Sequence, residues 1–314
     1  MTEETLYWAH LAGVEGVGGA IFDQLQRRFG SIKRALEAPV DEVLEIPGLD
    51  ERTAEAVCRA HLTLEGTQKK LEELVQKGID VITKMDADYP PRFRDAVNPP
   101  PLIYQLGKME NADQNAVAII GSRECGDVSA RRAREYGKYF AEMGLSVVSG
   151  YAFGVDINGH IGAIEGGGRT VIIPGCGIDV FDLKPLVPSG IEDFESLKKH
   201  AVVMTEQPPA SDWSARSSLA RNRLVAAHAK TILVLEARLH SSTLDTVEHA
   251  QKLGRPIFTQ LFGSVSEKVM GNEKLRREGA GEIQSVDDLK KIVAAVMESS
   301  DSGSASTDDD DLRR

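Results

Sequence analysis

The chain has 314 residues, 41% of them hydrophobic and 27% charged, which excludes wholesale disorder and a collagen-like repeat. With 37 Lys and Arg against 48 Asp and Glu, the formal net charge is −11, not the usual footprint of a nucleic-acid binder, although a local basic pocket stays open. No apolar run reaches the ~18 residues of a membrane helix, the N-terminus lacks a secretory pattern, and Cys58, Cys125 and Cys176 have no metal-ligand or disulfide-framework spacing, so no metal, no cofactor and a reducing cytoplasm are expected.

Residues 1–82 read as helical, with Leu25, Phe29, Ile32, Leu36, Val43, Leu44 and Ile46 at near-helical spacing. Two Gly turns, Gly16-Val17-Gly18 and Pro47-Gly48-Leu49, interrupt the pattern and fit either a pair of helix-hairpin-helix units, whose turns offer amides to phosphate, or a plain packed bundle. Residues 83–110 hold five prolines within DADYPPRFRDAVNPPPLIYQLG and read as an ordered connector, since proline removes donors and restricts its predecessor.

From residue 111 to 296 short apolar runs alternate with amphipathic stretches. Strands are expected at 116–120, 146–149, 170–174, 202–205, 231–236 and 256–260, with helices at 128–143, 155–166, 216–229 and 243–253. Continuously apolar strands alternating with helices imply a doubly wound, Rossmann-like parallel sheet. Residues 297–314, ending in four aspartates and Leu-Arg-Arg, are too polar to fold and are expected to be a disordered acidic tail, either merely solvating or competing with DNA for a basic pocket.

In such a sheet, ligands bind beyond the carboxyl ends of the strands. Gly121-Ser122-Arg123 follows the first strand: Gly allows close approach, and Ser122 and Arg123 can reach a phosphate. Ser149-Gly150, Phe153 and Gly154 follow the second, opening a helix whose amides favour an anion. Gly175 and Gly177 follow the third. Between Asp212 and Glu236 there is no acidic residue, whereas Arg216, Arg221, Arg223 and Lys230 are present, so Arg221-Asn222-Arg223 is expected near a helix start at the mouth of the cleft. Ser241 and Ser242, after the fifth strand, are N-caps or phosphate contacts. Taken together these loops suit a polyanion or nucleotide. No Walker-type loop, strict GxGxxG, HExxH or GxSxG is present, and no nucleophile–base pair stands out.

The same segments carry a family resemblance. Tyr89-Pro90, Pro99-Pro100-Pro101-Leu102-Ile103-Tyr104 and Gly107 lead into Ile119-Ile120-Gly121-Ser122-Arg123. Ser149-Gly150, Gly154-Val155-Asp156 and His160 follow, then Gly175-Cys176-Gly177-Ile178-Asp179. Glu206-Gln207-Pro208, Ala220-Arg221-Asn222-Arg223, Val234-Leu235-Glu236-Ala237 and Gly254-Arg255-Pro256-Ile257-Phe258 complete the series. In this order, over about residues 1–296, the chain resembles the DNA-processing protein A (DprA/Smf) family, and its helical N-terminus resembles that family's SAM-like part. The resemblance implies a non-catalytic, single-stranded DNA-binding protein that protects incoming DNA and loads RecA-type recombinase during natural transformation, dimerising through the Rossmann domain with no membrane partner. It implies phosphate contacts at Arg123, the Ser149-Gly150 loop and Arg221-Asn222-Arg223, with close backbone approach at Gly121, Gly150, Gly154, Gly175 and Gly177.

Several positions depart from the family's pattern. Phe153 stands where Arg is usual and is free either to stack on a base or to enter the core. Ser218-Leu219-Ala220 replaces an aromatic-Pro pair, Ser241-Ser242-Thr243 a Ser-Gly-Ser, and Val180-Phe181 a Tyr-Pro, and the acidic tail occupies the place of a C-terminal winged helix. Two alternatives remain: a Rossmann-fold sensor of a small nucleotide at the same loops, and a phosphoribohydrolase, whose PGGxGTxxE signature is absent from the stretch after Glu236.

Overall fold

The computed structural model describes residues 2–301, with side chains through 299. The chain divides into two compact units. The first comprises Met1–Gly107 with Cys176–Phe181 and Met204–Ser214, and the second comprises the remaining segments from Lys108 onward.

In the first unit six helices, α1 (Glu3–Ala12), α2 (Gly19–Phe29), α3 (Ile32–Glu37), α4 (Val40–Leu44), α5 (Glu51–Ala60) and α6 (Leu64–Gln76), pack around Trp8, Leu11, Phe22, Leu25, Leu36 and Val57. Side-chain oxygens of Thr2, Ser31 and Asp50 cap α1, α3 and α5 by accepting from backbone N–H groups at the third helical position. The rings of Trp8 and Phe22 meet at 5.2 Å between centroids. Both Gly turns foreseen in the sequence lie between helices, and Gly16 (φ +87°) and Gly48 (φ +91°) take the left-handed conformation that such turns require.

The helical region ends sooner than expected. After α6 the β-branched run β1 (Ile79–Thr83) pairs antiparallel with β2 (Leu102–Leu106), Val81 opposite Tyr104. The Pro-rich stretch is therefore not a bare connector: it holds a 3-10 turn at Pro91–Asp95 and a buried strand, and the first unit runs to Gly107 rather than to 82. Asp179 belongs here too, its carboxylate bridging Lys70 (2.6 Å) and Lys77 (2.8 Å) of α6, which is why 176–181 is not part of the sheet domain as expected.

The second unit is the doubly wound α/β domain. Its elements in chain order are β3 (Ala116–Ile120), α7 (Asp127–Glu142), β4 (Ser146–Ser149), α8 (Val155–Glu165), β5 (Thr170–Ile172), α9 (Phe194–His200) and β6 (Ala201–Thr205). There follow α10 (Ala215–His228), β7 (Thr231–Val234), α11 (Ser242–Lys252), β8 (Ile257–Gln260), α12 (Met270–Arg277), β9 (Gly281–Ile283) and α13 (Leu289–Asp301). The strands run parallel in the order β6-β5-β4-β3-β7-β8-β9. The chain winds outward from β3 in one direction and then from β7 in the other, so the topological switch lies between these two strands, where ligands of open α/β sheets bind.

Helices α7 and α8 approach backbone to backbone: a Cβ at Gly137 would lie 2.3 Å from the Gly159 carbonyl oxygen, and one at Gly162 only 2.0 Å from that of Arg134. Leu289, Ile292 and Val296 of α13 join Val117, Ile119, Tyr136 and Phe140 in the core. The Lys230 ammonium donates to the Val296 carbonyl (3.3 Å). With that face buried, α13 continues to Asp301, beyond the boundary at 296 read from the sequence; 302–314 lie outside the described residues.

Candidate functional site

At the switch point three loops and α10 converge. The loop after β3 is tied to the end of β7: the Ser122 N–H donates to the Glu236 carbonyl (2.7 Å), and the buried Glu236 carboxylate accepts from the Gly126 N–H (3.1 Å) and the Ser129 hydroxyl (2.6 Å). The loop after β4 is pinned by buried Asp156, in the first turn of α8, which accepts from the N–H groups of Gly150 (3.1 Å) and Ala152 (3.3 Å). Tyr151 is held at φ +62°, unusual for a side-chain-bearing residue, with its hydroxyl donating to the Asp182 carbonyl (2.7 Å). Gly154 adopts φ +81°, and a Cβ there would lie 2.4 Å from the Ser122 carbonyl oxygen and 2.6 Å from that of Arg123, so the two loops abut through their backbones.

Helix α10 supports all of this from one side. Arg221 lies across Gly150: a Cβ on Gly150 would be 1.3 Å from the guanidinium Nη1, so only glycine leaves room for that side chain. Ser217 donates to the Gly175 carbonyl (2.6 Å), and the Asn222 amide donates to the Ser242 carbonyl (3.1 Å) and the Asp245 carboxylate (2.9 Å), fastening the loops after β5 and β7 to the helix.

These elements enclose a cleft of about 470 Å³, within the range of ligand pockets, lined among others by Gly121, Ser122, Arg123, Arg221, Asn222, Ser241 and Ser242. The lining holds Arg123, Arg221 and Arg238 against the acidic Glu124 and Asp156, so it is net cationic in an acidic chain. Burial holds the Asp156 carboxyl above its ordinary range, opposed by Arg221 and by its N–H donors. Burial pushes the His160 imidazole down to about 3, Arg221 adding to the effect, so this histidine is neutral at physiological pH. Thr170 donates to the Val147 carbonyl and receives the His160 Nδ1 proton at 2.6 Å, which leaves Nε2 as the bare nitrogen. Ser218 is buried in the lining, and its hydroxyl has no hydrogen-bond partner among the described residues. No group of three or more metal-ligating side chains occurs among the described residues.

The structure thus brings seven of the fourteen predicted site residues into one cleft. Gly150 and Gly154 act one layer behind, as the seat of Arg221 and the contact between loops. The Ser149 hydroxyl is buried and donates to the Ile119 carbonyl (2.7 Å), so it is unavailable for the phosphate contact expected of it. Helix α10 starts at Ala215, within a residue of the start read from the sequence, but Arg221 turns inward and is buried rather than standing exposed at the mouth of the cleft, while Arg223 folds back onto the Ala220 carbonyl. Gly175 packs against Ser218 behind the cleft, and Gly177 belongs to the first unit, where a Cβ would collide with the carbonyls of Pro208 and Pro209. Phe153 is exposed rather than in the core. Arg238, His240 and Ser218 also line the cleft; Arg238 and His240 stand in the stretch after β7, and Ser218 in the segment that departs from the family's aromatic-Pro pair, but no spacing in the sequence turned them toward the site.

The family described as DNA recombination-mediator protein A matches residues 80–294. Protein Smf of Synechocystis is 28% identical over 297 residues, covering 93% of this chain and 73% of the relative. The crystal structure of DNA processing protein A (DprA) from Streptococcus pneumoniae superposes with a TM-score of 0.74 at 24% identity, covering 93% of this chain and 98% of that one. DNA processing protein A from Helicobacter pylori, whose structure is described in terms of a single-stranded DNA binding mode, superposes with a TM-score of 0.58 at 23% identity over 70% of this chain and 96% of that one.

Proposed function

Because the chain belongs to the DNA recombination-mediator protein A family, we propose that it binds single-stranded DNA at the cleft between β3 and β7, protects the strand, and hands it to a RecA-type recombinase during natural transformation. The observation that carries this reading is the net cationic cleft at the switch point of an otherwise acidic chain, with Arg123 exposed at its edge and Arg221 fixed over Gly150. Among the predicted residues, Gly121, Ser122, Arg123, Ser241 and Ser242 are the direct strand contacts in this reading, and Asn222 and Gly150 hold the loops that present them. Three side chains suited to nucleophilic or base chemistry, Ser149, Asp156 and His160, are buried and hydrogen-bonded within the fold, which supports binding without catalysis. A homodimer through the sheet domain, working in the cytoplasm, completes the proposal; no helix among the described residues is long and apolar enough to cross a membrane.

Fluorescence anisotropy with labelled poly(dT) over a salt series tests it. The slope of log K against log[salt] is about −0.7 per phosphate neutralised on a single strand, so Arg123→Ala is expected to flatten it by about that amount. Gly150→Ala is expected to weaken binding at least tenfold by displacing the Arg221 guanidinium. Absence of strand binding at low salt overturns the reading. A thermal shift with mononucleotides would then favour a nucleotide sensor, which the unpartnered Ser218 hydroxyl in the cleft also suits.

A further inference from the structure

Phe153 is the most exposed large apolar side chain among the described residues, at 73%. A ring left in water on a slack loop would fold back onto apolar surface, yet here the backbone on either side is held. Asp156 accepts from the Gly150 and Ala152 N–H groups, Tyr151 is fixed at φ +62° with its hydroxyl on the Asp182 carbonyl, and Gly154 is wedged against the carbonyls of Ser122 and Arg123. Non-glycine residues at positive φ persist where surrounding structure over-determines them, and they cluster at ligand clamps. The neighbour on one side, Ala152, lines the cleft, and the neighbour on the other touches the backbone of Arg123. A flat apolar ring is thus displayed on a fixed backbone beside a cationic cleft.

We propose that Phe153 is a stacking platform for an unpaired base of the strand held at the cleft, and that it makes the site selective for single over double strands. The inference rests on the reading of the cleft as a single-stranded DNA site. Stacking needs an open base face, which a duplex does not offer outside its ends. It adds affinity without releasing counterions, so it strengthens binding while leaving the salt slope unchanged.

The test compares wild type, Phe153→Ala and Phe153→Trp on labelled oligo(dT) and on an abasic strand of the same length, over a salt series, with light scattering of each protein. Stacking worth ~1–3 kcal/mol per base corresponds to a loss of about 5- to 140-fold for Phe153→Ala on oligo(dT). The expected pattern is that loss on oligo(dT) alone, with abasic affinity and salt slope as in wild type and with Phe153→Trp retaining affinity. Equal binding of both strands by wild type and Phe153→Ala overturns the proposal. An equal loss on both strands also overturns it, since it would assign Phe153 to loop placement. A loss accompanied by a change in subunit mass would assign it to a protein interface and overturns it as well. If wild type binds neither strand, the underlying reading of the cleft fails, a result separable from failure of the platform alone.

Discussion

His160 shows how far burial alone can set the state of a side chain. It lies within α8, fully buried, its Nδ1 proton on Thr170 and its pKa lowered to about 3 by desolvation with Arg221 contributing. In the unfolded chain a histidine takes a proton near pH 6.5. Between these values the unfolded state binds a proton that the folded state does not, so stability is highest above pH 6.5 and falls as the pH drops toward 3. Urea unfolding at pH 7 and pH 5 is therefore expected to show wild type losing about 2 kcal/mol more than His160→Gln over that interval. An equal loss in both proteins would mean that His160 is protonated within the fold. From sequence, His160 could only be placed inside a helix after Asp156; its neutrality follows from burial and from Arg221 of another helix, which no spacing rule connects to it.

The helix pair α7–α8 carries the site at the scale of elements, since α8 presents Asp156 to the β4 loop. The two helices are in contact through glycines, with no room for a Cβ at Gly137 or Gly162. Gly162→Ala would drive a methyl to 2.0 Å from the Arg134 carbonyl oxygen and force the helices apart. Overpacking of this kind costs about 1–3 kcal/mol, so a drop of that size in the free energy of urea unfolding is expected, along with weaker strand binding as Asp156 shifts. An unchanged midpoint would show the helices free to slide. Glycine inside a helix reads from sequence as a weakness. It is the close approach of the second helix that turns it into a requirement.

Across the whole molecule the charge of −11 opposes a polyanion while the cleft attracts it. The repulsion acts at long range and is screened first, since the Debye length falls from ~30 Å at 0.01 M salt to ~10 Å at 0.1 M. The attraction at contact fades more slowly. Stopped-flow association with oligo(dT) is therefore expected to quicken between 10 and 100 mM salt even as equilibrium affinity declines. A rate that falls monotonically would mean that the local cationic field dominates at every distance.

Apolar runs with β-branched residues announced β3, β4 and β7, and amphipathic periodicity announced α7, α8 and α11, each within a residue or two of where it lies. Because doubly wound sheets place ligands beyond their strand ends, the loops at Gly121-Ser122-Arg123 and Ser241-Ser242 were legible too. β1, β2 and β9 were not, being short segments whose state is decided by the strand they pair with. Nor was the burial of Arg221: the start of α10 was legible to within a residue, but which face of the helix meets the loop after β4, and so seats Arg221 over Gly150, is set by packing. The limits of the two units also escaped one-dimensional reading, because contacts such as Asp179 with Lys70 and Lys77 join residues far apart in the chain. Local periodicity and turn chemistry are properties of neighbouring residues and can be read along the sequence; burial, the seat of a guanidinium and the membership of a unit depend on what the rest of the chain brings alongside, and only the tertiary structure decided them.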